Sequence, residues 1–313
     1  MMRYITIDGG TTNTRVFLVE DGEVVDSVKL PIGTRASIDD KDALARGIKA
    51  AIDAILLGHS LSDGDITAII ASGMITSEQG LCPLEHICAP AGILELKAAM
   101  HKTCIPKISS IPFYFIRGVK QISDSALDTD MMRGEETELM GALCEEYGDA
   151  VYVFPGSHSK VIRMSADSRI SSFSTHMTGE MIYSLSQHTI LKGSVDLSTS
   201  ELDAGALVLG YEAAERYGVN RAIFKTRVMD VLFGASRVST YSYFLGVVLC
   251  DEILDILSYD ASTVVIGGRE QIKRATAELI RRKSEKRVIE LSEREVATSV
   301  ARGAVKIFEY KKQ

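Results

Sequence analysis

Apolar and polar positions along this chain alternate between a period of two and a period near 3.6. Tyr4-Ile5-Thr6-Ile7 is a β-branched and aromatic run. It breaks at once into Asp8-Gly9-Gly10-Thr11-Thr12-Asn13-Thr14-Arg15, and a second apolar run, Val16-Phe17-Leu18-Val19, follows. The pattern predicts strand, turn and return strand. Asp21-Gly22 signals a type I′ hairpin into a further strand over 24–28. Leu44, Ile48, Ile52 and Ile55 then recur at helical spacing, with Asp39 and Asp40 as the expected caps and Gly58 as the stop. Residues 66–70 read as a buried strand ending in Ala71-Ser72-Gly73-Met74. The stretch 75–90 is irregular and polar, a length at which loops tend to carry function. A helix is expected over 92–102 and a strand over 111–116. A loop to Met131 leads into a helix opened by Met132-Arg133-Gly134-Glu135-Glu136-Thr137, with Leu139, Met140 and Leu143 on its inner face.

The opening pattern then recurs. Residues 150–154 are a strand, Pro155-Gly156-Ser157-His158-Ser159-Lys160 is a second glycine and hydroxyl turn, and 161–164 and 169–174 are the following strands. The last third is mostly helical, interrupted by Thr263-Val264-Val265-Ile266-Gly267-Gly268. A short strand over 288–291 precedes a terminal helix opened by a Ser292/Glu295 capping box, with Val296, Val300, Ala304 and Ile307 on one face. Strands alternating with helices imply an α/β fold with mixed sheets.

A chain of 313 residues is long for one core and suggests two domains. The net charge of −7 leaves no electrostatic footprint for nucleic acid. The basic positions between Lys273 and Arg287 overlap a helical pattern and read as a solvated face. No apolar stretch approaches the roughly 18–20 residues that span a bilayer, and the N-terminus opens on a strand pattern without a signal-peptide core. Five scattered cysteines, with no C-x-x-C pair, argue for reduced thiols and against a disulfide framework or a structural zinc site. A cytoplasmic protein is expected.

The chemistry sits in the turns. Glycines let backbone N–H groups approach an anion, and threonines add hydroxyl donors. Asp8, where strand meets turn, can hold hydrated Mg²⁺, which takes a carboxylate or two plus water and phosphate oxygens. A second turn of the same kind near residue 155 makes a nucleotide-handling protein far more specific a reading than either turn alone.

The succession of phosphate turn, acidic helix start, second phosphate turn, Gly-Gly strand end and small-residue terminal helix resembles the sugar kinase, actin and Hsp70 superfamily. Within it, the chain resembles the 2-dehydro-3-deoxygalactonokinases. The segments that carry the likeness are Ile7-Asp8-Gly9-Gly10-Thr11-Thr12-Asn13, Ser72-Gly73-Met74, Met132-Arg133-Gly134-Glu135-Glu136-Thr137, Pro155-Gly156-Ser157-His158-Ser159-Lys160 and Phe173-Ser174-Thr175-His176-Met177-Thr178-Gly179-Glu180. Two departures stand out. The family usually has a Trp where this chain has Gly9. The loop after Met74 usually carries a Trp and an acidic-Ala-Pro run, where this chain reads Gln79-Gly80-Leu81-Cys82-Pro83-Leu84-Glu85.

The resemblance implies two ribonuclease H-like (actin-like ATPase) lobes, each a mixed sheet flanked by helices, with a cleft between them. The expected lobes are 1–148 and 149–313, with the terminal helix packing back on the first. It implies ATP and Mg²⁺ as cofactors and a sugar acid, 2-dehydro-3-deoxy-D-galactonate, as the substrate phosphorylated on its terminal hydroxyl. A homodimer is a family-level expectation. Glu136 is expected as the catalytic base with Glu135 as its alternative, and Arg133 beside them. Asp8 is assigned to magnesium. Gly10, Thr11, Thr12, Asn13, Gly156, Ser157, His158, Ser159 and Lys160 are assigned to phosphate, and Gly267 and Gly268 to adenosine. Ser72, Gly73, Met74, Gln79, Thr178, Gly179 and Glu180 are expected at the substrate, whose carboxylate calls for Arg133 or Arg117. A related keto-deoxy acid as substrate, a phosphoanhydride hydrolase and a nucleotide-dependent switch are the alternatives; the long loop favours a kinase, since water as acceptor needs no sugar pocket.

Overall fold

The computed structural model describes residues 1–40 and 42–311, and the chain forms two compact units. The first comprises Met1–Cys144, Ser165–Ser172 and Arg294–Gln313; the second comprises Glu145–Met164 and Phe173–Glu293.

The first unit is built on a six-stranded sheet. Its strands are β1 (Arg3–Gly9), β2 (Thr14–Glu20), β3 (Glu23–Leu30), β4 (Ala68–Gly73), β6 (His101–Thr103) and β7 (Phe113–Phe115), in the order β3-β2-β1-β4-β7-β6. A small second sheet pairs β5 (Ile87–Cys88), β8 (Val119–Gln121) and β9 (Asp130–Met132). The helices are α1 (Ala36–Asp39), α2 (Ala43–Gly58), α3 (Ile93–Ala98) and α4 (Glu135–Ala142). Alternation along β1 sends Ile5 and Ile7 into one core, where Leu44, Ile48, Ile52 and Ile55 of α2 meet them. Each such fully buried aliphatic contributes about 1.5–3 kcal/mol. Tyr4, of the other parity, meets Phe308 edge to face at 5.5 Å. The predicted hairpin closes as read, with Asp21 at φ 47° and Gly22 at φ 85°.

The expected helix over 92–102 is shorter. α3 stops at Ala98, and His101–Thr103 pairs antiparallel with β7. An available sheet edge outcompetes a last helical turn, a tertiary effect that local propensity does not contain. The expected capping of α2 also differs. The N-cap is Asp42 and makes no side-chain cap bond, while Asp40 accepts the Asp42 N–H at 3.0 Å. The Asp39 side chain lies outside the described residues.

A five-stranded sheet carries β10 (Ala150–Phe154), β11 (Ser159–Met164), β12 (Ile170–His176), β13 (Thr263–Ile266) and β14 (Arg287–Glu290), in the order β12-β11-β10-β13-β14, and belongs to the second unit except for the first three residues of β12. β10, β13 and β14 run parallel and β11 antiparallel, repeating the logic of β1, β4 and β2. The helices of the second unit are α5 (Thr178–His188), α6 (Ala204–Tyr217), α7 (Val219–Ile223), α8 (Lys225–Phe233), α9 (Arg237–Val248), α10 (Cys250–Ser258) and α11 (Glu270–Lys283). α9 is buried on every side from Thr240 to Val248, which makes it the centre of this core. On α11 and β14 the basic run is a solvated, ion-paired face: Arg281 pairs with Glu290 and Arg282 with Glu278. Lys273 differs in being buried, its ammonium paired with Glu270 at 2.7 Å and donating to the Leu291 carbonyl at 2.7 Å.

The chain ends in α12 (Glu293–Glu309). Its small residues serve the close packing expected of them: a Cβ on Gly303 would fall 1.9 Å from the Thr137 carbonyl oxygen, so α12 crosses α4 backbone to backbone. The described cysteines are all unpaired. Among the described residues no helix is long and apolar enough to cross a membrane.

Candidate active site

In the first unit, two parallel strands end side by side, with Asp8 opposite Ser72 and Gly9 opposite Gly73. Ligands of open α/β sheets gather outside such strand ends. The N-terminus of α4 arrives at the same place. Gly73 (φ 83°) and Gly134 (φ 118°) make the approach possible, because a Cβ on Gly134 would lie only 3.3 Å from the Gly73 Cα. Ser72 is fully buried with its hydroxyl unpartnered, and Met74 is half-buried behind it.

The first turn follows from Gly10 to Asn13, closed by the Gly10 N–H on the Asn13 carbonyl at 2.9 Å. It is supported by backbone: the N–H groups of Thr34 and Arg35 donate to the carbonyls of Gly10 and Thr11 at 3.1 and 3.0 Å. Thr11, Thr12 and Asn13 are exposed. Asp8 accepts two N–H bonds from Arg15 on Oδ2, at 3.0 and 2.7 Å, while Oδ1 has no partner among the described residues. Gly9 closes against Ile75, whose Cβ would stand 2.7 Å from a Cβ there; this chain uses for backbone packing the position where the family usually has Trp.

The two glutamates of the helix start have different surroundings. Glu136, expected as base, is fully buried. It accepts the Gly134 N–H at 3.0 and 2.8 Å and the Thr137 hydroxyl at 3.0 Å. Burial, and then the neighbouring Glu135, push its carboxyl up to about 8. Glu135 is half-buried and accepts the Arg133 N–H at 3.1 Å. Glu138, one turn on and not singled out by the sequence, is also raised to about 8, by burial and then by Asp8 and Glu135. Its i+3 spacing from Glu135 was the available signal.

The Arg133 guanidinium is taken up by the loop before it in the chain. Its Nη1 donates to the carbonyl and hydroxyl of Thr76 at 2.8 and 2.6 Å, and its Nη2 to the Leu84 carbonyl and His86 Nδ1, both at 3.2 Å. It ties the 74–86 loop to the helix start. Arg117, the other arginine expected at a substrate carboxylate, donates to the carbonyls of Ala99 and Glu85 at 2.9 and 3.1 Å. Gln79 is exposed at the tip of that loop.

In the second unit, the turn after β10 leaves Ser157 and His158 exposed and Gly156 half-buried, while Ser159 and Lys160 are buried within β11. Ser159 accepts the Gly156 N–H at 3.4 Å. The start of α5 packs on this turn: the Glu180 N–H donates to the Ser157 carbonyl at 3.2 Å, and His158 Nε2 meets Glu180 Oε1 at 3.1 Å. Thr178 does not cap α5. Its hydroxyl donates to Glu252, a buried carboxyl raised by desolvation and missed by sequence reading because it interrupts an apolar helix. His176 pairs with Asp255 at 3.0 Å beside it. Gly267 and Gly268 lie against the same strand end, with the Gly267 N–H donating to Val153 at 2.9 Å and the Arg269 N–H to Pro155 at 3.3 Å.

A glycine and hydroxyl turn between antiparallel strands, repeated on two mixed sheets, with an acidic helix start at the first, defines the class of actin-like ATPases and sugar kinases. The relatives narrow the class. A profile of the 2-keto-3-deoxy-galactonokinase family matches residues 8–304, and the chain belongs to that family of sugar kinases, which implies ATP as phosphoryl donor. A protein of Rhizobium meliloti strain 1021 assigned as a 2-dehydro-3-deoxygalactonokinase is 29% identical over 268 residues, covering 83% of this chain and 82% of that protein. The 2-dehydro-3-deoxygalactonokinase of Escherichia coli K12 is 26% identical over 265 residues, with the same coverage of 83% and 82%. The crystal structure of a candidate 2-dehydro-3-deoxygalactonokinase from Sinorhizobium meliloti has the same fold, with a TM-score of 0.79 at 24% identity over 98% of this chain and 100% of that one.

Proposed function

We propose that the chain transfers the γ-phosphoryl group of ATP to the terminal 6-hydroxyl of 2-dehydro-3-deoxy-D-galactonate, supplying the 6-phosphate for aldolase cleavage in galactonate catabolism. The observation that carries the reading is the convergence of Asp8, the first turn and the N-terminus of α4 at one pair of parallel strand ends. Phosphoryl transfer has a loose transition state, so positioning and charge neutralisation dominate catalysis.

Glu135 is the base in this reading, in place of Glu136. A base must reach the substrate hydroxyl, and Glu136 is sealed with its oxygens held by Gly134 and Thr137. Glu136 instead fixes the turn from which Glu135 projects. The exposed Thr11, Thr12 and Asn13 offer donors to phosphate oxygens, as do Gly156, Ser157 and His158 in their own unit. Asp8 would hold Mg²⁺: its Oδ1, without a partner among the described residues, suits an ion that fills the rest of its shell with water and phosphate. When bound, the ion neutralises charge on the β- and γ-phosphate oxygens. In this reading the reaction is cytoplasmic, in keeping with five cysteines that form no disulfide among the described residues.

The test is ADP formation from Mg-ATP with a panel of 2-keto-3-deoxy sugar acids and ordinary hexoses. Stimulation by 2-dehydro-3-deoxygalactonate above all others supports the assignment. A flat response across the keto-deoxy acids removes it.

A further inference from the structure

The acceptor is an acid, and the strand-end site is itself acidic. Asp8, Glu135, Glu136 and Glu138 crowd one end, and the last two are raised by that crowding as well as by burial. A carboxylate substrate must turn its charged end away from them. Of the two arginines that sequence offered for this task, Arg133 is held by four bonds to Thr76, Leu84 and His86, and Arg117 gives its Nε and Nη1 to the carbonyls of Ala99 and Glu85.

Two other groups remain beside Arg133. Because Arg133 donates to Nδ1 of His86, the proton of the neutral ring sits on Nε2. Nε2 has no hydrogen-bond partner among the described residues and is not sealed from solvent. The ring is seated on backbone, since a Cβ on Gly118 would fall 2.6 Å from its Cδ2. Lys120 is on β8, paired in register with Cys88, two residues beyond His86. Its ammonium makes no hydrogen bond or ion pair among the described residues, and it is half-buried. It is near enough for its charge, with that of Arg133, to oppose protonation of His86; with burial as the largest cause, His86 is lowered to about 4. The ring is therefore a neutral donor at physiological pH, held beside two cations.

We propose that Lys120 and the Nε2–H of His86 form the subsite that binds the carboxylate of the sugar-acid substrate, an inference that rests on the kinase reading above. The geometry supports the polarity. Glu135 accepts the backbone N–H of Arg133, and His86 takes the far end of the same side chain. The base and His86 are thus no farther apart than one arginine residue with a hydrogen bond at each end. The arginine side chain has roughly as many bonds as the carbon chain of a six-carbon acid, whose reacting hydroxyl and carboxylate are its two ends. Lys120 supplies charge, and His86 supplies a directed donor that does not compete for a proton.

The experiment uses steady-state kinetics on the full chain, with the keto-deoxy acid and, as probe, a neutral analogue in which the carboxylate is reduced to an alcohol. Lys120→Gln is expected to raise KM for the acid about tenfold, leaving KM for ATP and turnover of the neutral analogue near their original values. At His86, asparagine places an acceptor where Nδ1 stood, and glutamine places a donor where Nε2–H stood. A substrate-reading His86 predicts a larger rise in acid KM for His86→Asn than for His86→Gln. A role confined to anchoring Arg133 predicts the reverse order, and that result overturns the His86 assignment. Acid KM within twofold of the original in both Lys120→Gln and His86→Asn overturns the subsite while leaving the kinase reading intact. Failure of the unaltered protein to turn over any keto-deoxy acid overturns both.

Discussion

The two glycine and hydroxyl turns look alike in sequence and are supported by different physics. The first is propped by main chain: Thr34 and Arg35 donate N–H bonds to Gly10 and Thr11, and a Cβ on Gly33 would come within 2.4 Å of the Thr11 carbonyl. The second is propped by a helix start and a buried carboxyl. A Cβ on Gly179 would come within 2.2 Å of the Gly156 carbonyl oxygen, and Thr178 next to it is held by Glu252. The first stands beside the α4 start, whose first turn carries Glu135, Glu136 and Glu138, and the second beside the α5 start, whose first turn carries Glu180. A shared local motif thus fixes the anion-facing surface of a turn, while its rigidity and its chemistry come from whatever packs behind it.

That contrast can be broken from its largest expected effect downward. Replacing Glu135 with Gln should lower kcat for ADP formation by about 10²–10⁴, the usual weight of a general base. Glu136→Gln imitates a carboxyl already protonated near neutrality and should stay within about tenfold. Reversal of the two results would return the base to Glu136.

Next come the props. Gly33→Ala and Gly179→Ala each force a methyl into backbone and should cost about 1–3 kcal/mol in urea unfolding. A Gly179→Ala protein of unchanged stability would mean that α5 can retreat from the second turn, and the contrast between rigid props would fail.

The response to pH is set by the buried carboxyls rather than by the props. Glu136 and Glu138 bind a proton more tightly folded than unfolded, at about 8 against 4.5. In that window the folded state holds the extra protons. Their stabilisation is complete below about pH 4.5 and is lost as pH rises toward 8, by at most ~1.4 kcal/mol per pH unit for each group. Glu252 adds the same sign from the second unit. Thermal melts from pH 5 to 8 should show this fall, and Glu136→Gln should flatten it; an unchanged slope would show that Glu136 does not titrate in this range. The least effect belongs to the turn hydroxyls. Thr12→Ala and Ser157→Ala should each raise KM for ATP roughly 2–10-fold at constant kcat, the weight of one hydrogen bond.

Much of the fold was legible in residue patterns. The hairpin at Asp21-Gly22, the apolar stripe of α2 and the repeated strand-turn-strand unit all follow from rules that operate within a few residues. His101 and Lys102, expected in a helix, pair instead with β7 about ten residues on, and pairing with a sheet edge is not written in local propensity. The candidate site divides the same way. Asp8, Thr11 and Glu135 were visible as residue types in a pattern. The burial of Glu136, the occupation of Arg133 and Arg117 by carbonyls, and the unpartnered His86 Nε2 and Lys120 were not.

By itself, then, the sequence determined where the chain turns, which faces are apolar and which turns can hold phosphate, since these depend on backbone freedom and spacing between near neighbours. Tertiary structure decided which of two adjacent glutamates keeps contact with solvent, which arginines are already occupied, and where an acidic site acquires a basic end. Those outcomes depend on desolvation and on partners brought from distant segments, such as Thr76 and His86 to Arg133.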